Sequence, residues 1–182
     1  MHFKYWNIYK TFIIDICTSS SFPLFVLYLV STSFCYKWKK IAGPIEFPKF
    51  LFLYNIVISL VNVICFIGFA ISLHNSESLF SKKPDQFLRN VYWLYWITKI
   101  VELSDTLFMV LRHRFRQVSP LHVYHHATML LLSEIGYKKY YWAAFAMPLM
   151  LNALVRIFLS LRFYVKSFLE NLEVRNMPFT EC

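Results

Sequence analysis

The sequence predicts an all-α polytopic membrane protein, a single domain over residues 1–182 built as a bundle of about five transmembrane helices. Three observations predict it. Hydrophobic residues make up 58% of the 182-residue chain and charged residues only 16%, whereas soluble chains run near ~45–50% and ~25%. Aromatic residues reach 20%, with 19 Phe and 12 Tyr, which leaves too little polar surface to coat a soluble globule. The apolar residues also gather into segments near 16–36, 50–73, 91–111, 121–137 and 140–161.

Each segment has its own argument. A hydrocarbon core ~30 Å thick needs about 20 helical residues. Segments 16–36 and 50–73 reach that length without a charge. Segment 91–111 reaches it but contains Lys99, Glu102 and Asp105. Segment 121–137 is short, holds three histidines and Glu134, and is expected to start in the interface. Segment 140–161 carries Arg156, and Pro148 inside it is expected to kink it. Unpaired backbone groups are not tolerated in lipid, so helix is the expected state. The ~10-residue alternation of a transmembrane barrel is absent.

The connections agree with this division. Gly43-Pro44 and Pro48 break the first, and the stretch 75–90 with Pro84 breaks the second. Ser119-Pro120 opens the fourth helix, serine as N-cap and proline in the first turn. No internal repeat or low-complexity tract is visible, and no cleavable signal peptide is expected, because the first apolar stretch is long and others follow it.

Formal net charge is +9. Basic loops flanking spans account for it, and no long basic run supports a nucleic-acid partner. Lys37, Lys39, Lys40, Lys49, Arg112, Arg114, Arg116, Lys166 and Arg175 fall on one side. Lys4, Lys10, Lys82, Lys83, Arg89, Lys138 and Lys139 fall on the other. The slight excess favours a cytosolic C-terminus. Cys17, Cys35, Cys65 and Cys182 form no C-x-x-C pair and read as structural thiols.

Two constellations carry chemistry. His122, His125 and His126 lie at i, i+3 and i+4, one face of a helix, and hold three of the chain's six histidines. A single such histidine reads as an interhelical contact; three together on an apolar helix read as functional. Lys99, Glu102, Asp105 and Thr106 form the second group, whose charges require mutual pairing or a wet cavity. Its plain structural reading is a Lys99–Glu102 bridge that only locks helices. The basic turn 112–119 makes the two helices an antiparallel pair. A turn centred near Arg116 puts Asp105 and His126 at similar depth, so acids and imidazoles are expected to share one cavity. There an imidazole is a base, a nucleophile or a ligand, with Asp105 or Glu102 orienting it in the manner of a triad. Arg112, Arg114 and Arg116 are candidate anion contacts at its mouth, or ordinary loop charges.

These residues resemble the ELO family of fatty-acid elongases. The K-x-x-E-x-x-D-T box stands as Lys99, Glu102, Asp105 and Thr106, and the H-x-x-H-H box as His122, His125 and His126. The W-K-K-I-A-G-P-I run from Trp38 and the L-Y-N at Leu53 to Asn55 are also similar. The resemblance implies a membrane-embedded transferase (acyltransferase) of fatty-acid biosynthesis in the endoplasmic reticulum. Its substrates are a long-chain acyl-CoA and malonyl-CoA, its products a 3-oxoacyl-CoA, CoA and CO2. It implies an acyl-imidazole on His125, supported by His122 and His126, in a chamber lined by Lys99, Glu102 and Asp105. Arg112, Arg114, Arg116 and Asn152 are the implied substrate contacts. No bound cofactor and no metal are implied. The implied partners are the lipid bilayer and either other elongation enzymes or a second copy.

The pattern departs from the family at its next box, N-x-x-x-H followed by M-Y-x-Y-Y. Asn152 is kept, but Arg156 stands at the histidine position, and Leu159, Ser160, Arg162 and Phe163 replace the rest. The further helices and T-x-x-Q box of the family are not found after Val165. The resemblance therefore implies a C-terminally shortened relative. Two expectations stand: an active condensing enzyme, or an inactive relative serving as a membrane binding or partner subunit. A di-metal desaturase or hydroxylase also uses H-x-x-H-H. It needs more imidazoles than His2, His74 and His113 supply outside the cluster.

Overall fold

The computed structural model describes residues 2–78 and 82–176, with side chains for 10–34, 37–78 and 82–165. The side chains of His2, Lys4, Cys35, Lys166, Arg175 and Cys182, used in the sequence reading, lie outside the described residues.

The chain is all-helical: α1 (His2–Cys17), α2 (Phe22–Ser33), α3 (Cys35–Ile41), α4 (Pro48–Asn75), α5 (Gln86–Leu111), a 3-10 turn (Phe115–Gln117), α6 (Pro120–Lys138) and α7 (Ala143–Asn176). The long helices follow one another around the bundle: α2 lies on α6, α6 on α5, α5 on α4 and α4 on α7. The α6–α7 seam is the loosest contact of this ring. The core sits where α4, α5 and α7 meet, around Cys65, Phe69, Tyr92, Tyr95, Leu149 and Ala153. The Phe69 ring takes Tyr92 and Tyr95 edge-on at 5.3 and 5.5 Å.

Among the described residues two helices are long and apolar enough to cross a membrane. They are Pro48–Asn75, with mean hydropathy 2.6, and Ala143–Val165, with 1.8. A third crossing exists if Lys10–Cys17 and Phe22–Ser33, bent by 74°, act as one span. By length and composition, two or three of the expected five spans are thus supported. The physical reason is that α5 and α6 turn their ionisable residues toward other helices. Lys99, Glu102 and Glu134 are buried, so mean apolarity understates what these helices present outward. Outward on α4, Val57, Leu60, Ile64, Ile67 and Ile71 form an exposed apolar stripe at helical spacing, the face that lipid would solvate.

The expected single helix over 16–36 is corrected. Residues 18–21 break it, and α2 and α3 meet at Phe34. The break is held from a distance. Glu134 of α6 accepts hydrogen bonds from the backbone N–H groups of Ser20 (2.8 Å) and Ser21 (2.7 Å) and from the Ser19 hydroxyl (2.6 Å). Lys138 completes its shell at 2.5 Å. A carboxylate thus sits at the N-terminus of α2, where the first-turn N–H groups lack helical partners.

The helices that build the site are well capped. Asp85 caps α5, accepting from the Phe87 N–H at 2.9 Å, and Ser72 of α4 donates to its other oxygen at 2.6 Å. At the far end of α5, His113 adopts φ 56°. The His113 and Arg114 N–H groups donate back to Val110 and Met109, a Schellman closure built on a non-glycine residue. Ser119 caps α6 as expected, accepting from the His122 N–H at 3.1 Å.

Gly68 lets α4 and α5 approach closely. A Cβ there would lie 2.7 Å from Val91 Cγ2 and 3.1 Å from Cγ1. Val91 is β-branched and cannot swing aside cheaply. Gly68→Ala is therefore expected to destabilise the bundle by about 1–3 kcal/mol. Reversible denaturation in detergent micelles measures it, and an unchanged midpoint would show that the helices separate freely there.

Candidate active site

α5 carries the charged box, whose charges pair with α4 and α7 in one network. Lys99 Nζ lies 2.7 Å from Glu102 Oε2, both side chains 3% exposed. The ammonium also sits 4.6 Å over the Tyr95 ring. Asn62 of α4 donates to Glu102 Oε1 at 3.0 Å. From α7, Arg156 brings Nη2 to 2.7 Å from Asp105 Oδ2 and Nε to 3.8 Å from Glu102 Oε1. Two cations and two carboxylates from α5 and α7 thus form one ion quartet with no formal excess charge. Helix periodicity explains the placement: 99, 102 and 105 are spaced by three, so they share one side of α5.

The histidine face lies beside this quartet. His122 Nε2 is 3.1 Å from the Thr106 hydroxyl, and that hydroxyl is 2.8 Å from the Tyr28 hydroxyl of α2. His125 Nε2 is 3.0 Å from Asn152 Nδ2 of α7, whose Oδ1 accepts from the Tyr95 hydroxyl at 2.6 Å. The amide Nδ2 thus faces a ring nitrogen that accepts from it when His125 carries its proton on Nδ1. The His122 and His126 rings are 4.3 Å apart between centroids, and His125 and His126 are 5.8 Å apart. His122 and His126 are half-buried, while His125 is exposed and the most accessible of the three.

The two constellations share one region of the bundle, joined by Thr106–His122 on one side and Tyr95–Asn152–His125 on the other. The expected orienting contact from Asp105 or Glu102 to an imidazole is not among the hydrogen bonds formed. Both acids are engaged by cations, and Thr106 and Asn152 hold the rings instead. The Thr106–His122 contact centres the hairpin near Arg114 rather than Arg116.

The remaining candidates are spread out. Arg112 is the half-buried C-cap of α5, while Arg114 and Arg116 are exposed in the turn that follows. Asn152 touches His125 directly. Sequence reasoning missed Asn62, Tyr28 and Tyr95. An asparagine within the charge-free stretch 50–73 was a usable signal for Asn62; nothing local marked the two tyrosines. Among the described residues no group of three or more His, Cys, Asp or Glu side chains is placed to share a metal ion.

Chemically, the site offers imidazoles held by neutral partners at an accessible edge, backed by a buried charged wall. Comparison with known proteins adds a lineage. Residues 17–179 match the family model described as ELO: GNS1/SUR4 family. Human very long chain fatty acid elongase 4 is 34% identical over 126 residues, covering 65% of this chain and 39% of that protein. Mouse very long chain fatty acid elongase 2 is 32% identical over 118 residues, covering 60% and 40%. Bovine very long chain fatty acid elongase 5 is 30% identical over 112 residues, covering 58% and 38%. The chain spans about two fifths of the length of these curated relatives.

Proposed function

The chain belongs to the ELO (GNS1/SUR4) family, and from that premise we propose that it condenses a long-chain acyl-CoA with malonyl-CoA. The acyl group passes to His125 with release of CoA. Loss of CO2 from malonyl-CoA then supplies the carbon nucleophile that takes the acyl group and leaves a 3-oxoacyl-CoA. The observation that carries this reading is the His125–Asn152–Tyr95 chain. An accessible imidazole has one nitrogen bound by an amide that a buried tyrosine holds in place. His122 and His126 support the face, and Lys99, Glu102 and Asp105 form its charged wall. Arg112, Arg114 and Arg116 supply cations for the phosphates of CoA. The bilayer is that of the endoplasmic reticulum, as the elongase reading implies. The five-span arrangement, with α5 and α6 crossing beside the more apolar helices, belongs to the same proposal.

Membranes holding the full chain are expected to incorporate labelled malonyl-CoA into 3-oxoacyl product, and His125→Ala is expected to bring incorporation to background. Equal incorporation by the variant would sink the assignment.

A second reading is favoured by one observation. Arg156 occupies Asp105, so the acid is committed to a neighbour rather than to substrate or imidazole. An inactive relative that binds a membrane partner fits this. It is distinguished by a folded wild-type chain that gives no product at any acyl length and co-purifies with a second elongation component.

A further inference from the structure

We infer that the cleft between α2, α3 and α5 holds one acyl chain of an anionic glycerophospholipid, with its phosphate on the lysines of α3. Neither Arg156 nor Asn152 lines the cleft, which shares Thr106 with the histidine face and encloses about 510 Å³, within the range of small-ligand sites. Its walls are apolar, with Phe34, Leu103, Leu107 and Val110 prominent. Its hydroxyls are already used: Thr32 donates to the Leu29 carbonyl, Ser31 to the Tyr28 carbonyl, and Tyr28 and Thr106 bond each other. A cavity whose hydroxyls are satisfied internally presents hydrocarbon to its occupant and suits a chain of methylenes.

The mouth has the opposite character. Lys37 stands 4.8 Å over the ring of Phe34, a wall residue, so one cation is fixed at the rim. Lys39 and Lys40 follow in the last turn of α3 and are exposed. Among the described residues none of the three lysines forms an ion pair. Trp38, half-buried in α3, contributes its indole to the wall of the same cleft. The Ile45 N–H donates to the Leu111 carbonyl, which brings the segment after α3 to the end of α5, just before Arg112. A basic rim over an apolar slot fits an amphiphile with an anionic head. The site does not depend on the proposed condensation, since no group placed in that chemistry is needed to fill it.

Native mass spectrometry of the full chain in detergent, with added phosphatidic acid or phosphatidylcholine, tests this. One phosphatidic acid is expected to be retained per chain, favoured about tenfold or more over phosphatidylcholine. Changing Lys37, Lys39 and Lys40 together to glutamine is expected to erase that preference. Leu107→Trp, which fills the slot, is expected to remove both lipids. Thr32→Phe, from the opposite wall, does the same should the first variant fail to fold. Equal retention of the two lipids overturns the inference. So does retention that survives filled-slot variants, which would mean a headgroup resting on surface lysines. Displacement of phosphatidic acid by millimolar inorganic phosphate would also overturn it, by showing a site for free phosphate rather than lipid.

Discussion

Replacing Arg156 by methionine is expected to destabilise the protein by about 3–5 kcal/mol, the range for stripping one partner from a buried ion pair. The reason is asymmetric. Glu102 keeps Lys99 at 2.7 Å and Asn62 at 3.0 Å when Arg156 is gone. Asp105 keeps no cation, since Arg156 is the one described group that ion-pairs with it, and its side chain is 8% exposed. A carboxylate left at that burial with the Tyr54 hydroxyl but no cation protonates or draws in water, and either outcome costs stability. A second change should reverse the loss. Asp105→Leu in the Arg156→Met background removes that carboxylate, and buried pairs replaced by apolar groups are often neutral. The expected signature is a double-mutant coupling of about 2 kcal/mol or more, read from denaturation in micelles. Additive losses would mean that the two side chains do not pair. The Thr106–His122 and Asn152–His125 contacts lie outside the pair, so the double variant also tests whether the histidine face stands without the full quartet.

How far the sequence revealed this site depends on which contacts are local. Lys99–Glu102 is an i,i+3 pair and was legible from spacing alone. The capped start of α6 was legible because Ser119-Pro120 is a local signal. The meeting of the K-E-D-T and histidine helices followed from a short basic turn, since a hairpin places residues equidistant from it side by side. The Arg156–Asp105 pair was not legible. It joins α5 to α7, and nothing in the chain states that α7 returns next to α4 and α5. The partners of the imidazoles were misjudged for a related reason. Spacing located the acids near the rings, but the arginine and lysine compete for those acids and win on charge. Neutral Thr106 and Asn152 are left to hold the rings. Composition supports fewer than the expected five spans because composition and burial diverge: a helix can be rich in charge and still present an apolar outer face.

The break at 18–21 is the clearest case of a distant cause, and Glu134 is where it is tested. Glu134→Ala is expected to destabilise the protein by about 3–5 kcal/mol, because several charge-assisted hydrogen bonds converge on one carboxylate. Glu134 is fully buried. Its loss strips the Ser20 N–H of its acceptor, leaves the Ser21 N–H only the Ser19 hydroxyl at 3.2 Å, and leaves the Lys138 ammonium the Ser20 hydroxyl but no counter-charge. Glutamine is nearly isosteric and separates charge from shape. Its amide keeps one accepting oxygen but turns an NH2 toward groups that are themselves donors. Glu134→Gln is therefore expected to cost about 1–3 kcal/mol, the range for unsatisfied buried polar groups. The local signature matters more than the total. Without the carboxylate, Pro23 in the first turn of α2 is the remaining local feature that favours a break there. Residues 16–33, a run without charge, then satisfy more of their backbone groups by opening the bend toward one helix, with Pro23 leaving a residual kink. A spin-label pair placed at Lys10 and Ser33 is expected to lengthen in Glu134→Ala, because opening a 74° bend separates its ends. An unchanged distance would locate the cause of the bend in Pro23 or in the remaining contacts of residues 18–21. Trp96, whose indole donates to the Ser21 hydroxyl at 2.8 Å, would then be the next group to remove.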